Sequence, residues 1–196
     1  MNKVLMKKKF LLAIMALTAA VFSPAQELIL NCESRGQVRS VFPRYAGHVT
    51  LQIGEGRTGN AFRIVCPQNP SGKKHSGAAG RFQADGKSMI RIVSVSSPLH
   101  TGVWLKGRGK GRFGLLAYDK DRKVFYPPAL MKSFTVDSPD QWKLVELSYT
   151  PEAGSIYANK TAYILPYISL DPGSEFLLDD WETKFITPAV KIVIEE

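Results

Sequence analysis

The residue types that most often carry catalysis are few and scattered in this sequence. Its three histidines, His48, His75 and His100, each lie in or beside a segment rich in turn residues. There is no Gly-x-Ser-x-Gly elbow, no His-Glu-x-x-His motif and no cysteine–histidine pair that suggests a nucleophile. Two carboxylates facing across a cleft would suffice for a glycosidase, but β-sandwich glycosidases and lyases are usually larger than this chain. We therefore expect no enzymatic activity.

Charge is distributed unevenly along the chain. Residues 57–123 hold 14 Lys or Arg and three Asp, whereas residues 124–196 hold five Lys and 11 Asp or Glu. The two halves can neutralise each other across a folded pair of sheets. The densest basic segment, residues 106–112, alternates cations with glycine but lacks the Gly-Lys-Ser/Thr of a phosphate loop. We interpret this segment as a hairpin tip with solvated charges, and contact with an anionic polysaccharide or the cell envelope is the alternative.

The N-terminus has the three parts of a signal peptide. Four lysines precede an apolar run over residues 10–22, and Ser23 and Ala25 provide small residues before a predicted cut. The run covers 13 residues, fewer than the roughly 20 that a bilayer-spanning helix needs; an uncleaved anchor helix is the alternative. We predict a signal peptide over residues 1–25 and a secreted or periplasmic protein without a membrane span after cleavage.

Removal of that segment lowers the formal net charge from +9 to +5 and leaves residues 26–196 as a single predicted domain. Because the chain is exported, we do not expect nucleic acid as a partner. Two cysteines remain, Cys32 and Cys66. In an oxidising compartment such a pair is more often joined than free, but their spacing does not fix the distance between their Cα atoms. A disulfide and two free thiols therefore both stay open at this point.

The mature sequence is a succession of short β-type runs separated by glycine and proline turns. No long window has a helical apolar period, so we expect little helix. The pattern predicts an all-β, antiparallel, two-sheet β-sandwich with jelly-roll topology. Residues 67–80 are expected to form one long surface loop. The predicted strands cover residues 49–53, 61–66, 88–95, 102–106, 112–118, 142–149, 161–168 and 175–186.

With the strands placed, the motifs at both ends resemble those of a known family. Residues 28–36 (LILNCESRG) open the mature chain, Trp142 begins a late strand, and residues 176–181 (FLLDDW) close it. This order is similar to that of jelly-roll carbohydrate-binding modules of the cellulose- and xylan-binding type, which have a galactose-binding-like fold. Cys32 departs from the pattern, because the family usually has an aromatic residue there.

The resemblance implies a structural Ca²⁺ that ties the opening strand to the closing one. Matched by position, its candidate ligands are Glu33, Asp179 and Asp180. Oxygen ligands suit this ion, and adjacent carboxylates repel each other unless a cation or hydrogen-bond donors offset them. Because side chains alternate along a strand, Asp179 and Asp180 should point to opposite faces, so we expect only one of them to bind the metal. The alternative is one solvated carboxylate and one that accepts backbone hydrogen bonds.

The resemblance also implies a sugar-binding surface of flat aromatic rings and polar side chains. Strand alternation places Trp104 and Lys106 on one face and Val103 and Leu105 on the other. The same rule places Tyr163 with Tyr167, and Tyr118 with Leu116. The candidate ligand-binding residues are therefore Trp104, Lys106, Tyr118, Tyr163 and Tyr167; for each aromatic residue, packing in the core is the alternative. We assign Trp142 and Trp181 to the core or its rim.

Together these observations predict a secreted, non-catalytic carbohydrate-binding module that recognises a polysaccharide or a cell-envelope glycan. A structural or adhesive β-sandwich without a sugar site is the alternative. An exposed aromatic platform on one sheet would favour the first interpretation, and two fully polar open faces would favour the second.

Overall fold

A computed structural model describes residues 26–40, 48–68, 76–80, 89–92, 98–125, 130–185 and 192–195 of the chain. The predicted signal peptide, residues 1–25, lies outside the described residues, as do residues 69–75 of the predicted surface loop.

The described residues form twelve strands and one short α-helix. The strands are β1 (Gln26–Leu30), β2 (Val38–Ser40), β3 (His48–Gln52), β4 (Ala61–Cys66), β5 (Ser76–Gly80), β6 (Met89–Ile92), β7 (Leu99–Tyr118), β8 (Val124–Phe125), β9 (Met131–Tyr149), β10 (Tyr163–Leu170), β11 (Ser174–Phe185) and β12 (Ile192–Glu195). The helix is α1 (Ile156–Lys160), and the hydroxyl of Ser155 caps it by accepting a hydrogen bond from the Ala158 amide.

Every strand pairing is antiparallel, and the strands form one continuous sheet that curls around a core. The two longest strands, β7 and β9, pair from Leu99↔Tyr149 to Gly114↔Met131 and run through the whole structure. On its other edge, β7 pairs with β11 through its first half and with β10 through its second half. The curl thereby creates two layers that share β7 and β9.

We define the two layers by their strands. The first layer contains β3, β4, β11 with β1 on its edge, the first half of β7 and the second half of β9. The second layer contains β2, β5, β10, the second half of β7 and the first half of β9. Strands β6, β8 and β12 extend the second layer. The predicted antiparallel β-sandwich is therefore confirmed.

The glycine-rich segment 106–112 is not a hairpin tip, as the sequence had suggested, but the interior of β7. Glycine is needed there because neighbouring strands come too close for a side chain. A Cβ atom on Gly107, whose φ is 146°, would lie 2.2 Å from the carbonyl oxygen of Glu175. The segment marks the point where β7 passes from one layer to the other, and such bends are a usual place for glycine in a strand.

The core lies between the layers and follows directly from strand alternation. In β4, Phe62, Ile64 and Cys66 are buried while Arg63 is exposed. The ring of Phe134 bridges the layers, with edge-to-face contacts to Phe113 at 6.2 Å and to Phe176 at 5.7 Å between centroids.

The polar groups around Trp181 in the core are paired with one another. The indole of Trp181, a fully buried residue, donates to the hydroxyl oxygen of Thr101 at 3.1 Å, and the Thr101 and Thr183 hydroxyls are 2.9 Å apart. The prediction that Trp181 belongs to the core is confirmed. Cys32 and Cys66 are also buried in this core, and no disulfide joins them.

The expectation of little helix is confirmed for the described residues, since α1 has five residues. The predicted loop over residues 67–80 is wrong at its end, because Ser76–Gly80 is strand β5 and pairs with both β2 and β10. Its residues, serine, glycine and alanine, have a low intrinsic propensity for strands. The strand forms because it pairs with a neighbour on each side.

Candidate functional site

Trp104 and Lys106 lie on the outer face of the first layer. Both side chains are half-buried, while Val103 and Leu105 between them point into the core. In register, Trp104 is opposite Leu144 on β9 and Asp179 on β11. The alternation predicted from the sequence is therefore confirmed for this segment.

One face of the Trp104 ring is covered by a cation from a distant loop. The loop over residues 53–60 joins β3 to β4, and the guanidinium carbon of Arg57 in this loop lies 3.9 Å from the ring centroid. The same guanidinium forms an ion pair with Asp180 at 2.7 Å. Arg57 thus links an indole on β7 to a carboxylate on β11.

Lys106 lies beside the second indole of this face. Opposite Lys106, the register of β9 shifts, and residues 139–142 form a bulge between Ser138 and Lys143. The Ser138 hydroxyl stabilises this bulge by donating to the carbonyl oxygen of Gln141 at 2.8 Å. Trp142 ends the bulge, and the Lys106 ammonium lies 5.5 Å from its ring centroid. Bulges of this kind often redirect a side chain, and here the redirected side chain is the indole of Trp142.

We call the surface formed by Trp104, Lys106, Trp142, Leu144 and Leu177 the indole patch. Leu177 is opposite Lys106 in the register of β7 with β11 and is half-buried, while Leu144 is 40% exposed. Trp142 is half-buried as well and belongs to none of the core clusters among the described residues. The patch combines accessible apolar surface with one ammonium group.

The three predicted tyrosines lie on the second layer, not beside Trp104. Tyr118 and Tyr163 are a cross-strand pair, and Tyr167 lies four residues further along β10, on the same face. Leu116, Leu165 and Tyr167 form a separate apolar cluster, against which Tyr118 packs. Tyr163 is 8% and Tyr167 5% exposed, whereas Tyr118 is half-buried. The structure therefore brings the tyrosines together but separates them from Trp104 and Lys106.

The separation is large enough to make two distinct surfaces. Trp104 and Tyr118 are 14 positions apart on β7, which corresponds to roughly 45 Å of strand with the bend of the curl between them. A single short oligosaccharide would not contact both groups at once.

The predicted metal ligands are gathered around the loop over residues 53–60. Asn60 donates its backbone amide to Glu33 Oε1 at 3.1 Å, and Arg57 donates its backbone amide to Asp179 Oδ2 at 2.7 Å. A Cβ atom on Gly59 would lie 2.1 Å from Glu33 Oε1, and one on Gly56 would lie 2.8 Å from Asp179 Oδ2. Glycine at both positions lets the loop close over the two carboxylates.

Asp179 and Asp180 have different environments despite being adjacent. Asp179 is fully buried, and a register shift after it gives Asp180 a φ of 43°. Burial raises the pKa of Asp179, while hydrogen bonds from the backbone amides of Arg57 and Asp180 act in the opposite direction. Asp180 stays partly accessible and pairs with the Arg57 guanidinium.

Cys32 lies next to this acidic group. It is fully buried and has a φ of 58°, an uncommon value for a residue other than glycine. Burial raises the pKa of its thiol well above the ordinary value, and the nearby Asp179 and Asp180 raise it further. The thiol is therefore protonated and unreactive in the folded protein.

Ion pairs on the first layer join the basic half of the sequence to the acidic half. Arg57 pairs with Asp180 at 2.7 Å, Arg63 with Glu175 at 2.6 Å, and Arg108 with Asp137 at 2.9 Å. The expectation that the two halves neutralise each other is confirmed for these three pairs.

Sequence reasoning missed two contributors to this surface, Arg57 and Trp142. Arg57 belongs to a loop more than 120 positions from its partner Asp180, so no local pattern signals the contact. The sequence predicts Trp142 in the core or at its rim. The bulge that turns its side chain outward has no sequence pattern beyond Ser138-Pro139 within a strand. Proline within a strand run was the one available hint of an irregularity.

Within the described ranges, no three His, Cys, Asp or Glu residues cluster closely enough to hold a metal ion by themselves. Within the same ranges, no helix has the length and apolar character needed to cross a membrane.

Comparison with known proteins gives structural matches only. No family model matches the sequence, and no curated protein matches it. Among solved structures, the CBM22-1 xylan-binding domain of Paenibacillus barcinonensis Xyn10C superposes with a TM-score of 0.53 at 10% identity, over 85% of this chain and 99% of that domain. The family 11 carbohydrate-binding module of the Clostridium thermocellum cellulase Lic26A-Cel5E superposes with a TM-score of 0.52 at 16% identity, over 84% and 97% of the two chains.

The tandem CBM22-1–CBM22-2 domain of the same Paenibacillus enzyme gives a TM-score of 0.56 at 10% identity, over 87% of this chain and 49% of that one. At such low identity these matches establish the fold. The chain has the jelly-roll β-sandwich fold of carbohydrate-binding modules, and the resemblance drawn from its end motifs is confirmed at that level.

Proposed function

We propose that this protein is a secreted, non-catalytic carbohydrate-binding module that recognises a polysaccharide or a cell-envelope glycan through the indole patch. The observation that carries the proposal is the pair of half-buried indoles, Trp104 and Trp142, on the outer face of a sheet in a fold shared with carbohydrate-binding modules. An indole presents a flat apolar face to the C–H side of a pyranose ring. Trp142 can offer such a face, and Trp104, which has the Arg57 guanidinium over one side of its ring, adds apolar surface beside it.

The matched structures support polysaccharide as the ligand class. They include a xylan-binding domain and a family 11 module in complex with a β-1,3-1,4-mixed-linked tetrasaccharide. The absence of catalysis is part of the proposal, and it is supported by the match to whole binding modules of similar length.

Affinity electrophoresis tests this proposal directly. The mature chain is run through gels that contain a neutral, a uronic-acid or a sulfated polysaccharide, and at least one should retard it. Trp142→Ala should abolish most of the retardation, because it removes an accessible indole without opening the core. Ile156→Ala, at a 66% exposed apolar residue on α1, is the control and should migrate like the wild type. If no polysaccharide retards the protein, a structural or adhesive role replaces the proposal.

The same experiment separates the two outer faces. Tyr118→Ala changes the half-buried tyrosine of the second layer, whose ring is near the predicted partners Tyr163 and Tyr167. We expect Tyr118→Ala to bind like the wild type. Loss of binding in this variant, with Trp142→Ala unaffected, would place the sugar site on the second layer.

The proposed export is tested by expressing residues 1–196, with residues 1–25 included, in a bacterium. The N-terminal pattern of lysines, apolar run and small residues supports cleavage before Gln26. Sequencing of the exported protein should read from Gln26, and a product retained with Met1 would overturn the proposal.

We further propose that the carboxylates of Glu33 and Asp179 hold a structural Ca²⁺. They fit such an ion because they are hard oxygen ligands that contact the same glycine-containing loop, Glu33 after the end of β1 and Asp179 at the register shift of β11. Backbone carbonyl oxygens would supply the remaining ligands. Asp180 fits less well, since its carboxylate already pairs with Arg57. When bound, the ion would neutralise the buried carboxylate of Asp179.

Thermal unfolding with excess EDTA, and then with CaCl₂ restored, tests the calcium proposal. We expect a higher Tm with Ca²⁺ in the wild type and a smaller calcium-dependent rise in Glu33→Gln. An unchanged Tm in the wild type would remove the metal from the description and leave the polysaccharide proposal intact.

A further inference from the structure

Three arginines near the indole patch are each matched to a carboxylate. Arg57, Arg63 and Arg108 each lie within 3 Å of a partner oxygen, on Asp180, Glu175 and Asp137 respectively. These pairs neutralise much of the basic charge near the indole patch. An anionic ligand would have to compete with a resident carboxylate for each of them.

Lys106 is the exception within the indole patch. Among the described residues, no carboxylate oxygen lies within 4.0 Å of its ammonium, which is 5.5 Å from the centroid of the Trp142 ring. On one side Lys106 is paired with Leu177 of β11, and on the other side it is opposite the bulge of β9. Its side chain is half-buried, so part of the water that would screen it is excluded.

A lysine that lies against apolar surface and has no counter-ion attracts an anion more strongly than a fully solvated lysine, because the lower local dielectric weakens screening. The surface around Lys106 is apolar on both sides, with Trp142 and Leu144 from β9 and Leu177 from β11. A complementary ligand therefore has an apolar face and a single negative charge at its edge. A pyranose that carries one carboxylate or one sulfate ester has this form.

On this basis, and resting on the proposed function, we propose that the indole patch selects an acidic polysaccharide, with Lys106 pairing with the anionic group of a sugar that packs against Trp142. Lys106 is then the residue that determines specificity for charge. The indoles contribute apolar contact that neutral and acidic sugars share.

The test uses two ligands with the same sugar backbone, polygalacturonate and its fully methyl-esterified form, in which a methyl ester replaces each carboxylate. Binding of the mature chain is measured by isothermal titration at low salt. We expect the wild type to bind polygalacturonate about tenfold more tightly than the ester, as one charge-assisted contact allows. A sulfated galactan is the third ligand, and tighter binding to it than to polygalacturonate would identify the anion as a sulfate ester.

The variants distinguish the effect of Lys106 from the effect of the protein's overall positive charge. Lys106→Met keeps the aliphatic stem and should remove the preference for the acid, while binding of the ester stays within about twofold. Lys106→Arg should retain the preference. Lys110→Met lowers the net charge equally at an exposed position of the same strand and should behave like the wild type.

The outcomes separate this inference from the function on which it rests. Equal binding of the acid and its ester by the wild type would overturn the selectivity and leave a module for neutral glycans. Equal losses in Lys106→Met and Lys110→Met would assign the preference to overall charge instead. Absence of binding to any of the polysaccharides would remove the proposed function itself.

Discussion

The Arg57 guanidinium stacks 3.9 Å above the centre of the Trp104 ring while it forms a 2.7 Å ion pair with Asp180. A loop residue is thereby fixed to two neighbouring strands of the first layer. Its backbone amide also donates to the buried carboxylate of Asp179 at 2.7 Å. The loop over residues 53–60 is therefore held by both the backbone and the side chain of Arg57, next to the proposed sugar-binding surface.

Replacement of Arg57 by alanine should lower the free energy of unfolding by about 1 kcal/mol, because it removes a partly desolvated cation–π contact and an ion pair. Urea unfolding measures this change. Arg63→Ala is the matched control, because Arg63 and Glu175 form an ion pair whose side chains are about half exposed; it should cost less than about 0.5 kcal/mol. Equal effects of the two substitutions would contradict a special role for the Trp104 contact.

The hydroxyl of Thr101 connects three groups in the core, and its removal should be more costly than its size suggests. Thr101→Val leaves the buried Trp181 N–H without its acceptor, which costs about 1–3 kcal/mol. Thr183→Val removes a hydroxyl that bonds to Thr101 but not to the indole, so we expect a smaller loss. Chemical denaturation compares the two variants, and a larger effect at Thr183 would show that the indole has another partner.

The strands that could be predicted from the sequence are those whose own residues alternate. The run over residues 61–66 matches β4 at both ends. Its burial pattern is visible in the segment itself, with Phe62, Ile64 and Cys66 on one face and Arg63 on the other. The end motifs were also sufficient to identify the fold as that of carbohydrate-binding modules.

The features that the sequence did not reveal depend on contacts between distant segments. Segment 106–112 looks like a turn because glycine usually ends a strand. In the fold, glycine is needed there because β9, β10 and β11 come too close for a side chain. The stacking of Arg57 on Trp104 and the outward turn of Trp142 depend on the loop position and on a bulge, which no local period encodes. The outward orientation of Trp104 and Lys106 could be predicted, because the alternation of side chains along a strand is enough to determine their face.

Gly107 provides a direct test of why the central strand contains glycine. Alanine there would have to adopt a φ of 146°, and its Cβ would lie 2.2 Å from Glu175 O and 2.9 Å from Phe176 Cα. Both obstacles are backbone atoms, so we expect a loss of about 3 kcal/mol or more. Gly54→Ala is the control: its φ is 72° but nothing lies within 4 Å of the added Cβ, so it should cost about 1 kcal/mol. Similar thermal shifts for the two variants would mean that strain in φ alone, and not the approach of β11, requires glycine.

The two cysteines give a test of the core that needs no substitution. Cys32 is fully buried and Cys66 is 1% exposed, and burial raises the pKa of the Cys32 thiol, so little thiolate is present at pH 8. A thiol-specific reagent should therefore react slowly with the native protein and titrate two thiols after denaturation without reductant. Cys66→Ser should leave one thiol that is still protected until unfolding, which shows that protection comes from burial. If the denatured wild type yields no thiol until a reductant is added, the cysteines are joined in a disulfide instead.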